Sequence, residues 1–555
     1  MARPLRSPPS PSPTGRPRAL GPAGLIVVVA VFLALALPLL PCTVDDAWIT
    51  FRYAWNWAHG PGPYFNSGEH VEGYSNFLLM ALLTPVVALG GATAALPAAK
   101  AIGLVSALAM LLGAWAVARS LAGATKSTAP AADVAGVVAA GLLACAPGFA
   151  LNAVNGLETT LFGALVVWGT YGFATGRPRA GATGLALAAL TRPEGPLVFA
   201  VCWLLVVVDG LLSAKRIGDA PRAARPARDW LVSAAIGAGV VGAHLLFRRL
   251  FYDGEWVPNT YFAKLGGSGD RLDYVLRGAL PPVLGWVGAL LALAGWAAAP
   301  RSARAALVAG GVALVGCLLP LYTGGDWMYG HRLIVPYLPL LLAVAAVGWL
   351  RLASRLAQTR PRLVPAILLA MLPVAWITQH TERSGLTRDV RLTATGARTG
   401  HAALGDWLAT ASRPGDAVVL MDIGQIGYRL REQRIVDVTG LTDRHIARSP
   451  GTFMAKRFDL DYVFRQRPRW IVLSFLASGE PYAPIAPGQA IHPFSEMEEA
   501  LVSHPAFAGW YGEAPEPAVV SGDELEELAS RLHARRVFRS AAPGHHYLLA
   551  VYERE

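Results

Sequence analysis

The sequence predicts an α-helical polytopic membrane protein, of about eleven transmembrane helices, that ends in a C-terminal α/β domain. Three observations predict it. Of 555 residues, 54% are hydrophobic and 15% charged, where soluble domains carry roughly 25% charged residues. Apolar runs recur from residue 24 to residue 379, with short Arg- and Lys-rich clusters between them. After about residue 385 the runs stop, and short strand-like and helix-like patterns alternate.

The N-terminus, residues 1–23, is Pro-rich and basic and predicts a disordered cytoplasmic segment. The run 24–41 is long for the apolar stretch of a signal peptide, and no small-residue cleavage site follows it. It predicts an uncleaved first membrane helix. Further runs lie at 76–95, 98–118, 134–150, 159–175, 180–192, 196–213, 230–248, 278–298, 304–321, 332–350 and 363–379. Basic clusters at residues 3–18, 215–228, 300–304 and 351–362 mark cytoplasmic loops. That leaves 42–75, 249–277, 322–331 and the tail facing outward. The charges demand an odd number of crossings in 76–118, so one run there is a crossing and the other a re-entrant or surface helix. Residues 24–380 form the transmembrane domain, with 42–75 as its first periplasmic loop.

In the tail, 385–555, VVLMDIG, RIVDV, WIVLSF and HYLLAVYERE read as strands, and GHAALGDWLA and SGDELEELASRLHARR as amphipathic helices. The alternation predicts a small periplasmic α/β domain that folds as a unit of its own. The net charge of +11 does not indicate nucleic acid, because the cations sit between apolar runs. Cys42, Cys145, Cys202 and Cys317 include no C-x-x-C spacing and predict buried inert thiols.

Charges at the membrane edge are costly, so each is a functional candidate. Five polar stretches fall on the outward side. They are Asp45-Asp46 with Arg52, Tyr53, Glu72 and Asn76; NGLET with Glu158; TRPEG with Arg192 and Glu194; FYDGEWVPNTYFAK with Asn259, Tyr261 and Lys264; and GGDWMYGHR with Asp326, His331 and Arg332. Taken singly, each has a plainer reading as a helix cap, an ion pair or an interface anchor. Together they suit sugar transfer from a lipid phosphate. A carboxylate can take the acceptor proton, cations can hold the phosphate, and aromatic rings can stack on a sugar. Because the leaving group is a phosphate, one carboxylate base suffices for inversion, unlike the carboxylate pair of a hydrolase. Adjacent helical residues do not face each other, so Asp45 and Asp46 have separate tasks. One contacts the acceptor, and the other orients the loop or a cation. A transporter or flippase of lipid-linked sugars is the rival reading, but it would place polar groups at the midplane and show paired halves.

The stretch DDAWITFRYAWNWAHGPGPYFNSGEHVEGYSNF resembles the DDAfItfRYa-N-a-G-G-vfN-GErVEGYtNfLw pattern of polytopic bacterial glycosyltransferases of the C superfamily. It is similar in particular to the mycobacterial cell-wall β-(1→2) arabinofuranosyltransferases. NGLET, LTRPEG, GEWVPNTYFAK, GGDWMYGHRLIVP and DIGQIGY…IVDVTGLTDRHIAR resemble further blocks of that family, so the likeness spans about 42–475. It implies a multi-pass protein of the bacterial cytoplasmic membrane with an extracytoplasmic site. It also implies a polyprenyl-phosphate sugar donor, an envelope glycan or lipid-linked acceptor, and inversion. The family's aspartate motif falls on Asp45 and Asp46. GDWMYGHR departs from the family's GDWMPGFR-like string at His331, which bears on the donor sugar. No cofactor is required, and a divalent cation stays open.

Overall fold

The structure is a computed structural model. It describes residues 20–123, 129–217, 224–265, 271–298, and 303–359 apart from 327. From 383 onward it describes all but 384, 389, 392–393, 478–484, 516–517, 521–524 and 543–544. The apolar run expected at 363–379 lies outside the described residues.

The N-terminal part is helical: α1 (Leu20–Ala36), α2 (Asp45–His59), α3 (Phe77–Gly90), α4 (Ala95–Leu121), α5 (Ala129–Cys145), α6 (Pro147–Asn152), α7 (Thr159–Ala174), α8 (Pro178–Ala189), α9 (Gly195–Ile217), α10 (Ala224–Phe251), α11 (Asn259–Ala263), α12 (Arg271–Ala279), α13 (Gly285–Ala298), α14 (Ala303–Thr323) and α15 (Leu338–Thr359). Among the described residues, six helices are long and apolar enough to cross a membrane, lying in α1, α4, α9, α10, α14 and α15 with their adjoining turns. The pair α12–α13, bent by 66°, would make a seventh. The expected single run 278–298 is broken there, because Pro281 and Pro282 have no N–H to continue the ladder and Leu284 turns left-handed at φ 64. Within 76–118, α3 has 14 residues, about 21 Å at the helical rise, short of a hydrocarbon core of roughly 30 Å. The 30-residue segment Ala92–Leu121 is long enough.

The tail is an α/β unit. Its sheet runs β2 (Arg434–Asp437), β1 (Ala417–Leu420), β5 (Trp470–Ala477), with parallel pairing between β1 and its two neighbours. On its other edge β5 pairs antiparallel with β9 (His545–Glu553), which pairs with β8 (Arg536–Ala542). The strand β6 (Ala490–Pro493) pairs antiparallel with the C-terminal end of β5 and with β7 (Ala518–Val519), and β3 (Gly451–Thr452) with β4 (Ala455–Lys456) forms a separate small hairpin. All eight residues of β5 are buried, as the unbroken apolar run of a central strand requires.

The two faces of β5 have different partners. Ile471, Leu473 and Phe475 pack under the helices Glu496–Ser503, Pro505–Tyr511 and Leu525–Arg531. Trp470, Val472 and Leu476 belong to one cluster with Ala47, Phe51, Tyr53, Phe65 and Tyr74 of the first loop. One sheet face of the tail thus has residues 45–75 as its cover. Burying each large apolar side chain is worth roughly 1.5–3 kcal/mol, so this shared cluster locks the tail over the loop.

Candidate active site

The site is built on α2. Its first residue follows Val44, whose extended backbone donates its N–H to the Asn155 carbonyl at 3.2 Å. Asp45 and Asp46 occupy the first turn, where carboxylates offset the positive end of the helix. At 100° per residue, Asp45 and Arg52 share one face of α2, while Asp46 and Thr50 share another. The structure uses these faces for different purposes.

Asp45 and Arg52 both engage the tail motif DIGQIGY, residues 422–428. Asp45 Oδ2 accepts from the Gly424 N–H at 2.9 Å, and Oδ1 accepts from the Gln425 N–H at 2.7 Å. Only glycine allows this approach, because a Cβ at 424 would overlap the Asp45 carboxylate and carbonyl. Burial and the nearby Asp422 raise Asp45 to about 6, with His401 and the Gln425 N–H opposing the rise. His401 Nε2 lies 3.1 Å from Asp422 Oδ2. The Arg52 guanidinium is buried and donates to the carbonyls of Phe65, Gly427, Leu430 and Gln433 at 2.5–2.9 Å. Four of its contacts thus go to backbone oxygens, and a longer one, at 3.4 Å, goes to Asn66 Oδ1.

Asp46 looks the other way. Its Oδ2 stands 3.7 Å from Lys264 Nζ, and the two side chains keep 24% and 38% of their exposure. One turn on, Thr50 donates to Asn76 Oδ1 at 3.1 Å. Asn76 donates to Glu158 Oε2 at 3.0 Å, and Arg192 donates to Glu158 Oε1 at 3.1 Å and to Glu194 Oε1 at 2.6 Å. Arg332 is paired with Asp326 through a short hydrogen bond. Burial works against the Arg332 charge, but Asp326, Asp46 and Glu158 more than restore it, so its pKa lies above that of a free guanidinium. The structure therefore brings all five outward-facing stretches to one locus around Asp46. Of the charged side chains there, Asp46 and Lys264 are the most exposed, while Arg192, Glu158, Glu194, Asp326 and Arg332 keep 6–13%.

The remaining expected residues are placed as follows. Tyr53 donates to the Val71 carbonyl and accepts from the Gly73 N–H, both at 2.7 Å. Glu72 pairs with Arg248 at 2.5 Å and is 2% exposed. Asn259 donates to the Gly440, Leu441 and Asp443 carbonyls at 2.8–3.2 Å. Tyr53 thus braces the first loop, Glu72 ties that loop to α10, and Asn259 ties α11 to the tail. Tyr261 is 51% exposed and turns no hydrogen bond among those described inward. His331 sits at φ 48 with its ring 5.2 Å from Tyr274, and burial pushes its pKa below the usual imidazole range.

Sequence reasoning missed Thr50, Arg248, His401 and Gly424. Thr50 was readable as one turn beyond Asp46. Arg248 was readable as an arginine at the outer end of an apolar helix. Nothing local signals Gly424, whose partner Asp45 lies 379 residues away, or His401, whose partner Asp422 stands 21 residues on, past β1. Among the described residues no three His, Cys, Asp or Glu side chains gather as a metal ligand set. Asp46 and Asp326 instead each face a cation.

Comparison with known proteins gives three results. A family model described as a domain of unknown function, DUF8728, matches residues 388–514, within the tail. No curated protein matches. The fold is similar to the crystal structure of ArnT from Cupriavidus metallidurans bound to undecaprenyl phosphate, at 15% identity and TM-score 0.52, over 82% of this chain and 96% of that one. The apo form of the same ArnT matches at 15% identity and TM-score 0.49, over 83% and 96% of the two chains. The archaeal oligosaccharyltransferase AglB from Archaeoglobus fulgidus, in complex with an inhibitory peptide and a dolichol-phosphate, matches at 12% identity and TM-score 0.48, over 81% and 69%. At 15% identity the likeness to the undecaprenyl-phosphate-bound ArnT structure is one of fold alone.

Proposed function

We propose that this chain is an inverting membrane glycosyltransferase that moves a sugar from a polyprenyl-phosphate donor to an envelope glycan or lipid-linked acceptor. The single observation that carries the reading is the locus around Asp46, where an accessible carboxylate faces an accessible ammonium within a ring of fixed ion pairs. The fold shared with an ArnT structure that holds undecaprenyl phosphate supports the donor class.

In this reading Asp46 is the general base. The acceptor hydroxyl attacks the anomeric carbon as its proton passes to Asp46, and the bond from that carbon to the phosphate oxygen breaks. The polyprenyl phosphate leaves with the electron pair, and Lys264 and Arg332 stabilise its growing charge. Asp326 keeps Arg332 aimed, and Glu158 and Glu194 do the same for Arg192. Tyr261 offers an exposed ring for the sugar or the lipid. Asp45 orients the loop. Its pKa of about 6 would suit a base, but both its oxygens are occupied by backbone N–H groups. Residues 24–380 then form the catalytic membrane domain and 385–555 the periplasmic cover, in the bacterial cytoplasmic membrane with the active side outward, as the basic loops indicate. The enzyme is a pentosyl- or hexosyltransferase; the motif resemblance points to arabinofuranose as donor sugar, and His331 in GDWMYGHR is the departure that bears on a hexose instead.

The test is mass spectrometry of envelope glycans from a strain lacking the chain. The account expects loss of terminal sugar units, restored by the wild-type chain and not by Asp46→Asn. Unchanged glycans, or equal rescue by both chains, would sink it.

A further inference from the structure

A groove of about 790 Å³ opens where the first loop, the α10–α11 connection and the tail meet, lined by Glu69, Asp253, Arg434, Arg444, His445 and Tyr462 among others. It lies apart from the Asp46 locus, and its size is that of a ligand site, which runs roughly 300–1,000 Å³. Its guanidinium groups are paired in place. Arg434 pairs with Glu69 at 2.7 Å, Arg448 with Glu255 at 2.7 Å, and Arg444 with Asp253 at 3.4 Å and Glu255 at 3.5 Å. Asp443 accepts from the Ile446 N–H at 2.9 Å and from the Tyr462 hydroxyl at 2.8 Å. A surface dense in donors and acceptors, but with each of these guanidinium groups already neutralised, does not favour a polyanion. It suits a ligand with many hydroxyls and no charge. The exposed His445 ring packs on Tyr462 at 4.3 Å and 32° and offers a flat face of the kind that takes the C–H side of a sugar.

The groove is joined to the reactive locus by α11. At one end of this helix Asn259 binds the carbonyls of Gly440, Leu441 and Asp443, which belong to the segment forming the groove wall. At its other end Lys264 reaches Asp46. Five helical residues rise on the order of 8 Å, a span that a short oligosaccharide bridges.

We propose that this groove holds the acceptor: it binds internal sugars of a neutral glycan chain while the chain's terminal hydroxyl reaches Asp46. The inference rests on the transferase reading above, and its test separates the two. Full-length protein in detergent is titrated with three probes: a neutral arabinofuranosyl hexasaccharide, a neutral glucosyl hexasaccharide and a sulfated heparin hexasaccharide. A neutral hexasaccharide binds, and its Kd is flat between about 50 and 500 mM salt, where exposed charges are progressively screened. His445→Ala, and independently Arg434→Gln at an exposed pair, weaken it at least fivefold while the melting temperature holds. The same variants raise KM for a hexasaccharide acceptor more than KM for the lipid donor. No binding by either neutral probe, binding indifferent to both substitutions, or salt-sensitive binding of the sulfated probe alone overturns the groove assignment. Binding that needs His445, without transfer from a polyprenyl-phosphate sugar, upholds the groove and refutes the reaction. Transfer without groove binding does the reverse.

Discussion

Replacing Asp45 by alanine should loosen the tail from the membrane domain and leave the chemistry of Asp46 in place. The two hydrogen bonds lost run from the Gly424 and Gln425 N–H groups to a charged acceptor. Such bonds contribute roughly 1.5–3 kcal/mol each. Water can reach a partly exposed carboxylate position and solvate the freed N–H groups, so the expected loss is about 2–3 kcal/mol, nearer to one bond than to two. For a unit the size of the tail with its loop, about 2–4 °C follows per kcal/mol, so the melting transition should drop by roughly 5–10 °C. The assay is thermal unfolding of the purified protein in detergent, with limited proteolysis of the tail as a second readout. Asp46→Asn, measured beside it, should keep the wild-type transition within a degree or two, because the Asp46 pair with Lys264 is loose and solvated. If the two variants melt alike, or Asp46→Asn is the less stable, the division of labour between adjacent aspartates is wrong.

Three further outcomes are expected. Lys264→Met should raise KM for the lipid donor by about tenfold or more, the loss of a charge-assisted contact to phosphate, read from initial rates; an unchanged donor KM would remove Lys264 from phosphate binding. Asp45 is raised to about 6 in the fold, so its stabilising share is full below about pH 4 and is lost as pH rises through 6. The stability of wild type relative to Asp45→Asn should therefore fall between pH 4 and 6, by at most about 3 kcal/mol, and a difference that grows with pH would contradict the sign. Residues 383–555 expressed alone should aggregate or lack a cooperative melt, because the Trp470–Val472–Leu476 face loses its cover; a soluble, cooperatively melting fragment would show that the shared core is dispensable.

Much of this architecture was readable from composition and period. Most described apolar runs became helices near their expected ends, while 278–298 is broken and 332–350 is shifted to Leu338–Thr359; the four tail segments richest in β-branched and apolar residues became β1, β2, β5 and β9. The strands β6, β7 and β8 were not read. They are short or carry arginine, as RVFRSAA does, and owe their place to the neighbours they pair with, β5 for β6, β6 for β7 and β9 for β8, rather than to their own pattern. The five polar stretches were legible as one outward set because each broke the cost rule for charge at a membrane edge. What separates their roles was less so. Arg52 sits in the same motif as Asp46, yet its acceptors at Gly427, Leu430 and Gln433 come from 375 or more residues away. Period alone could have divided the faces of α2, since 45 and 52 are two turns apart while 46 and 50 are one. Which face meets the tail and which meets Lys264 depends on long-range packing.

The central claim is that Asp46 activates an acceptor hydroxyl against a polyprenyl-phosphate sugar. The most direct measurement is transfer by the purified full-length chain in lipid nanodiscs, with radiolabelled polyprenyl-phosphate arabinofuranose and a hexose counterpart as donors and a neutral hexasaccharide as acceptor. The account predicts label in the glycan from at least one donor with inverted anomeric configuration, and a loss of roughly 10²–10⁴-fold in Asp46→Asn, with its melting transition intact. Transfer at the wild-type rate by a folded Asp46→Asn, or a product of retained configuration, would contradict it.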